Sequence, residues 1–366
     1  MRAKECVANE DVSGEEELLE RIARRWAGAR PPRGSLGIGD DAAQLPWPAA
    51  SPVLISTDLF VEGIHFDLRY TPALFIGRKA LAAAASDIGA MGGAPLACLL
   101  SFAIPARTPG RLTDAILASF HEEAREIGIP LLGGDLSSSK TKLMLDVVVV
   151  GRLAGKKPIR RSGARPGDCI YVTGPLGGAA TGLVRLRNGA RPWRSALKHR
   201  QTPSLRSAGA RLKHSLETIA VMAHLRPRPP LAAGAAFGRS SVPTAMMDLS
   251  DGLAIDLRRL CRASGVGAEI DEQRVPLHPA ALHFLGPVGA LRAALGGGED
   301  YELLLCGPAP SEAVLRRIAR SVGSDLIAIG TVVSRDHGMV LCGEEGARRP
   351  LPHLGFDHFR PHHRQR

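Results

Sequence analysis

Carboxylates recur at one kind of place along this chain: a short apolar run ends in Asp beside Gly or Ser. The strings are Gly39-Asp40-Asp41, Ser56-Thr57-Asp58, Gly133-Gly134-Asp135, Asp248-Leu249-Ser250-Asp251 and Gly297-Gly298-Glu299-Asp300. A related residue, Asp87, stands in Ala85-Ser86-Asp87-Ile88-Gly89, inside a stretch that otherwise reads as an Ala-rich helix. Any single site has an ordinary account, since Asp beside Gly makes turns and caps helices. Asp251, ahead of an apolar helix, is placed to be such a cap. Five with one layout ask for a common cause. Carboxylates gathered inside a fold repel one another and lose hydration unless a cation neutralises them. Oxygen donors with Ser and Thr hydroxyls beside them suit Mg²⁺, which keeps waters and shares carboxylates with substrate phosphates. The pattern predicts a polynuclear Mg²⁺ site holding a polyphosphate.

Strand-like and helix-like stretches alternate through both halves. Val53–Ser56, Leu96–Ile104, Ile129–Leu132 and Leu143–Leu153 read as strands, and Leu74–Met91 and Leu112–Ile127 as helices. Glu15 to Trp26 has helical periodicity. Beyond a basic Gly/Pro stretch at 154–167, strands are expected at Cys169–Thr173, Thr244–Met247, Asp300–Cys306 and Ile327–Val333, with a helix bearing Leu253, Leu257 and Leu260. The class is α/β (α+β), with a boundary that gives domains 1–158 and 159–366.

Several function classes drop out. No GxxxxGK[ST], HRD or DFG string occurs, which excludes a P-loop NTPase and a protein kinase. The six cysteines form no CxxC and lie in apolar surroundings, so they read as small buried hydrophobes in a reducing compartment rather than zinc ligands. Met1 to Glu20 is polar and acidic, and the longest uncharged stretch, Ile88 to Ala106, is broken by Gly and Pro. The expectation is a cytoplasmic chain without a membrane span. Net charge is +11, and Arg185 to Lys213 carries nine Lys or Arg and no acid. Nucleic-acid binding through that run is set aside because it lacks interleaved aromatics. Gly174 to Gly182 (GPLGGAATG) reads as a strand-to-helix turn whose backbone N–H groups are available to phosphate.

Seven strings in order carry a resemblance: GIGDDAA (37–43), STDLFVEGIHF (56–66), SDIGAMGGAP (86–95), GGD (133–135), RSGARPGD (161–168), DLSDGL (248–253) and GGEDYEL (297–303). Together they resemble the thiamine-monophosphate kinase family, within the superfamily of aminoimidazole ribonucleotide synthetase and selenophosphate synthetase. The resemblance implies an N-terminal domain whose strands build a β-barrel across a homodimer, flanked by helices, and a C-terminal α/β domain closing over nucleotide and substrate. It implies Mg²⁺ binding by Asp41, Ser56, Thr57, Asp58, Asp87, Asp135, Asp248 and Asp251. ATP contacts fall to Gly134, Asp135, Arg161 and Ser250, and thiamine monophosphate contacts to His65, Glu299 and Phe356. Phe356 lies in Gly355-Phe356-Asp357-His358-Phe359, where the family has a larger aromatic, and Gly89 stands where the family usually has Ala. A phosphate monoester is already largely a dianion at pH 7, its second pKa being about 6, so transfer from ATP requires no general base. The expected reaction is direct in-line transfer giving ADP and thiamine diphosphate. A sister ATP-dependent ligase is the competing reading.

Overall fold

The computed structural model describes residues 24–25, 53–192 and 212–356. Asp41, most of the Arg-rich run and most of the N-terminal periodic stretch lie outside them. The chain divides into two compact units, one of residues 1–85 and 95–152, the other of 86–94 and 153–366.

The first unit is a four-stranded sheet in the order β1-β4-β2-β3, built from β1 (Val53–Val61), β2 (Gly93–Pro105), β3 (Leu131–Ser139) and β4 (Met144–Leu153). β1 runs antiparallel to β4, and β2 parallel to β3. Among the described residues the sheet is open, with β1 and β3 at its edges, and does not close into a barrel. Helix α1 (Ala73–Ala90) belongs to this unit up to Ala85, its last turn counting with the second unit, and α2 (Gly110–Ile127) belongs to it throughout. α1 is buried along nearly its whole surface, which accounts for its alanines: Ala80, Ala84 and Ala85 are fully enclosed. α2 is amphipathic, burying Ile116, Leu117, Phe120 and Ala124.

The second unit holds a seven-stranded mixed sheet, β11-β10-β7-β9-β5-β8-β6. Its strands are β5 (Asp168–Val172), β6 (Ala245–Asp248), β7 (Gly267–Asp271), β8 (Leu303–Pro308), β9 (Ile327–Val333), β10 (Met339–Cys342) and β11 (Arg348–Pro350). The helices are α3 (Gly178–Arg187), α4 (Leu212–Leu225), α5 (Leu231–Ser240), α6 (Leu253–Ser264), α7 (Pro279–Gly296) and α8 (Glu312–Ser321). Leu253, Leu257 and Leu260 of α6 meet Ile170, Val172, Met247, Leu304 and Ile329 in the main core. Tyr171, Met246, Leu303 and Leu305 belong to a second core with Phe237 and Leu315, as the period of two along a strand requires. Among the described residues no helix is long and apolar enough to cross a membrane. The five described cysteines are free thiols.

Candidate functional site

In the first unit β1 is continuous to Val61, so Ser56, Thr57 and Asp58 are strand residues and not the end of a strand, as the sequence predicts. Alternation puts Ser56 and Asp58 on the face of buried Leu54 and Phe60, opposite Val149 and Val147 of β4. Thr57 points to the other face, where its hydroxyl donates to Asp146 Oδ1 at 2.6 Å. Nothing about Asp146 stands out in sequence, because it sits inside the most apolar strand.

Gly133-Gly134-Asp135 also lies within a strand rather than in a turn. β3 pairs with β2 across a bulge between Cys98 and Leu99 that leaves Leu132 without an opposite residue. A Cβ at Gly134 would come within 1.8 Å of the Leu100 carbonyl oxygen, so close pairing itself demands this glycine. Asp135, opposite Ser101, is exposed, on the face away from buried Leu100 and Phe102. Strand order and alternation thus set Asp135 apart from Ser56 and Asp58, at the other edge and on the other face. His65 lies in the turn after β1. Its Nδ1 accepts from the Val61 N–H at 3.0 Å, which places the proton of the neutral ring on Nε2.

In the second unit the motifs do converge. Asp87 occupies the last turn of α1, near the negative end of the helix dipole, where a cation is favoured. Its neighbour Ser86 is buried and donates to Asp248 Oδ2 at 2.8 Å. This end of α1 lies backbone to backbone against α5: a Cβ at Gly234 would fall 2.3 Å from the Gly89 carbonyl oxygen. Asp248, 3% exposed, ends β6. The turn that follows is tied to two distant segments by backbone hydrogen bonds. Leu249 N–H donates to Glu302 O, Tyr301 N–H to Leu249 O, Glu299 N–H to Ser250 O and Phe356 N–H to Asp251 O, at 2.8 to 3.1 Å. Asp248, Ser250, Asp251, Glu299 and Phe356 are thereby gathered by strings far apart in sequence.

Asp251 is not the cap of α6. That position is Gly252, and the N–H groups of Asp251 and Gly252 donate to Asp256 Oδ2 at 3.0 and 3.1 Å. Asp256 is fully buried, and burial pushes its carboxyl up to about 6, against these hydrogen bonds and Arg259. Arg259 Nη1 bridges Asp256 Oδ1 at 2.7 Å and Asp251 Oδ2 at 2.5 Å.

The strand expected from Asp300 begins only at Leu303. Before it, Glu299 (φ 72°) and Tyr301 (φ 51°) adopt left-handed backbone, an uncommon choice for side-chain-bearing residues. Asp300 turns to the start of α3, accepting from Gly177 N–H at 2.6 Å and Ala179 N–H at 3.0 Å. These N–H groups of the Gly174–Gly182 turn therefore serve a carboxylate of the chain itself rather than standing open to phosphate. Burial pushes Asp300 up to about 6 and Glu302, hydrogen-bonded by Thr173 at 2.6 Å, up to about 7. Arg161 is exposed, on a loop pinned by Ser264, whose hydroxyl donates to the Arg161 carbonyl at 3.0 Å.

The donors singled out for a cation are all oxygen, which fits Mg²⁺ and not a thiolate- or imidazole-seeking metal. Among the described residues no group of three or more His, Cys, Asp or Glu is gathered closely enough to hold a metal by itself.

These two halves define an AIR synthase-type protein. The family models "AIR synthase related protein, N-terminal domain" and "AIR synthase related protein, C-terminal domain" match residues 39–153 and 165–343. A thiamine-monophosphate kinase of Salmonella typhimurium is 34% identical over 88% of this chain and 91% of its own. The crystal structure of thiamine-monophosphate kinase from Stenotrophomonas maltophilia superposes with a TM-score of 0.73 at 32% identity, covering 90% of this chain and 96% of the other. The structure of AaThiL complexed with AMPPCP and TMP gives a TM-score of 0.67 at 27% identity, covering 94% and 97%. The chain belongs to the thiamine-monophosphate kinase family.

Proposed function

We propose that this protein transfers the γ-phosphate of ATP to thiamine monophosphate, giving thiamine diphosphate and ADP. The observation that carries the reading is the meeting of Asp248–Asp251, Glu299 and Phe356 through four backbone hydrogen bonds in a chain of this family. This supports the reading, because carboxylates suited to a metal–nucleotide share one turn with a carboxylate and an aromatic residue suited to an organic substrate. The relative solved with AMPPCP and TMP supports both ligands.

We assign the metal-binding role to Asp87, Asp248 and Asp251, with Asp41, Ser56, Thr57, Asp58 and Asp135. Gly134, Asp135, Arg161 and Ser250 are assigned to ATP, and His65, Glu299 and Phe356 to thiamine monophosphate. Mg²⁺, when bound, screens the repulsion between two highly charged phosphates. The chain's part is to hold its oxygens in place. Ser86 orients Asp248, Arg259 orients Asp251, and Asp256 fixes the Asp251–Gly252 backbone. No carboxylate acts as nucleophile, so no phosphoenzyme forms. The working form is a cytoplasmic homodimer. Residues 1–158 provide its interface, with barrel closure between copies, and residues 159–366 close over nucleotide and substrate.

The test is product formation from ATP, Mg²⁺ and thiamine monophosphate, with Asp251→Asn as control. Equal amounts of ADP and thiamine diphosphate are expected, with at least a hundredfold loss in the control, the scale of removing a charge-stabilising group. Folded protein that binds ATP yet makes no thiamine diphosphate would move the assignment to the sister ligases. Trapping label from γ-labelled ATP on the protein would overturn direct transfer.

A further inference from the structure

Glu299 is held by a residue that none of the motif strings contains. His224, in the last turn of α4, is 3% exposed, and its Nδ1 lies 3.0 Å from Glu299 Oε2. The imidazole is fixed by helix packing: a Cβ at Gly182 of α3 would fall 2.0 Å from the Ala220 carbonyl oxygen and 3.0 Å from the His224 Cβ. The bland account is a core histidine that has found a carboxylate. Two observations go beyond it. Glu299 keeps 24% of its side chain exposed, so the carboxylate is anchored without being shut away. Its backbone is left-handed, with the N–H committed to Ser250 O, so main chain and side chain are both fixed in one direction. A free Glu samples many rotamers, and fixing one has an entropic cost that an anchored carboxylate meets before substrate arrives.

We propose that His224 is a positioning residue for substrate recognition: the close polar contact of its Nδ1 with Glu299 Oε2 sets where the carboxylate stands, so that it presents a preset acceptor to the organic part of the phosphorylated substrate. The proposal rests on the assignment of Glu299 to that substrate and adds the residue that orients it.

Steady-state kinetics of the full-length chain test it, with His224→Asn, His224→Gln, Glu299→Ala and the Glu299→Ala/His224→Gln double variant. The Asn amide nitrogen takes the place of Nδ1, whereas that of Gln takes the place of Nε2. The Gln variant is expected to raise KM for thiamine monophosphate about tenfold, with KM for ATP and kcat within about twofold, the scale of losing one close polar contact to a carboxylate. The Asn variant should stay within about threefold of the parent, and the double variant should be no worse than Glu299→Ala. A structural role would not separate Asn from Gln. Equal behaviour of the two, equal rises in both KM values, or additive effects in the double variant would overturn the proposal. If Glu299→Ala leaves KM for thiamine monophosphate unchanged, the assignment of Glu299 itself fails and the proposal with it. If Glu299→Ala raises it and His224→Gln does not, only the proposal fails.

Discussion

Glu302 shows how far one enclosed carboxyl departs from its free behaviour. Thr173 donates to it at 2.6 Å, but burial outweighs that bond and lifts the group from 4.5 to about 7, with the charges of Asp300 and Asp325 adding to the rise. Between these values the folded chain keeps a proton that the unfolded chain has released. Stability therefore falls as pH rises through this window, by about 3 kcal/mol for 2.5 units at about 1.4 kcal/mol each. Glu302→Gln keeps an acceptor for the Thr173 hydroxyl and removes the charge. It should match the parent near pH 4 and exceed it at pH 8, as read by urea unfolding at both values. A residual slope below pH 6 is expected from Asp300, which has the same sign. Neither effect can be read from Gly297–Leu303 as a string, because burial and the Thr173 partner come from 129 residues away.

Helix ends carry the next lesson. α7 begins at Pro279, and its cap is His278, whose Nδ1 accepts from the Ala280 N–H at 3.2 Å. Acceptance requires a neutral ring, and burial holds it down, from 6.5 to about 4. The sign is opposite to that of Glu302. The unfolded chain takes up the proton first, so this stabilisation is present above pH 6.5 and is lost as pH falls toward 4. Its scale is about 3 kcal/mol. His278→Asn retains an acceptor at nearly the same place. Unfolding at pH 7 and pH 4.5 should show the variant losing less stability on acidification than the parent. Elements whose determinants are local were legible in sequence: α1, α2 and the Leu253-Leu257-Leu260 face of α6 follow from periodicity and burial. Those set by distant partners were not. Ser56–Asp58 and Gly133–Asp135 have turn-like composition, yet β4 and β2 draw them into strands. N–H groups at the starts of α3 and α6 are satisfied by Asp300 and Asp256, whereas local pattern points to the Gly174 turn and to Asp251. For the candidate site, the motif strings pointed to Asp248, Ser250, Asp251, Glu299 and Phe356, segments that backbone hydrogen bonds join in the fold. His224, Asp256 and Arg259, which lie against Glu299 and Asp251, emerge only from packing, and Ser86, inside a motif string, gains its role only from its bond to Asp248.

At the scale of the whole molecule the open four-stranded sheet poses a solvation problem. Val53, Ile55 and Leu59 share one face of β1 and are 43%, 68% and 54% exposed, with part-buried Val148 and Val150 opposite Thr57 and Ile55. Among the described strands β1 stands at an edge of the sheet. A run of exposed apolar side chains on one strand face is a feature that folded chains ordinarily cover. A second copy, joined about a two-fold axis, would cover that face and complete the barrel proposed above. In such an interface every substitution occurs twice. Ile55→Lys therefore places two charges in one apolar contact and should weaken association on the order of a hundredfold or more, at a few kcal/mol for the pair. Light scattering across a dilution series reads this directly: the parent should have the mass of two chains and the variant that of one. Val288, 84% exposed beside the Gly286–Pro287 kink of α7, is the matched control. It is more exposed than Ile55 but lies in the other unit, so Val288→Lys should leave the mass unchanged. A monomeric parent, or an Ile55→Lys variant that dimerises as tightly as the parent, would show that this face is not the one a second copy covers.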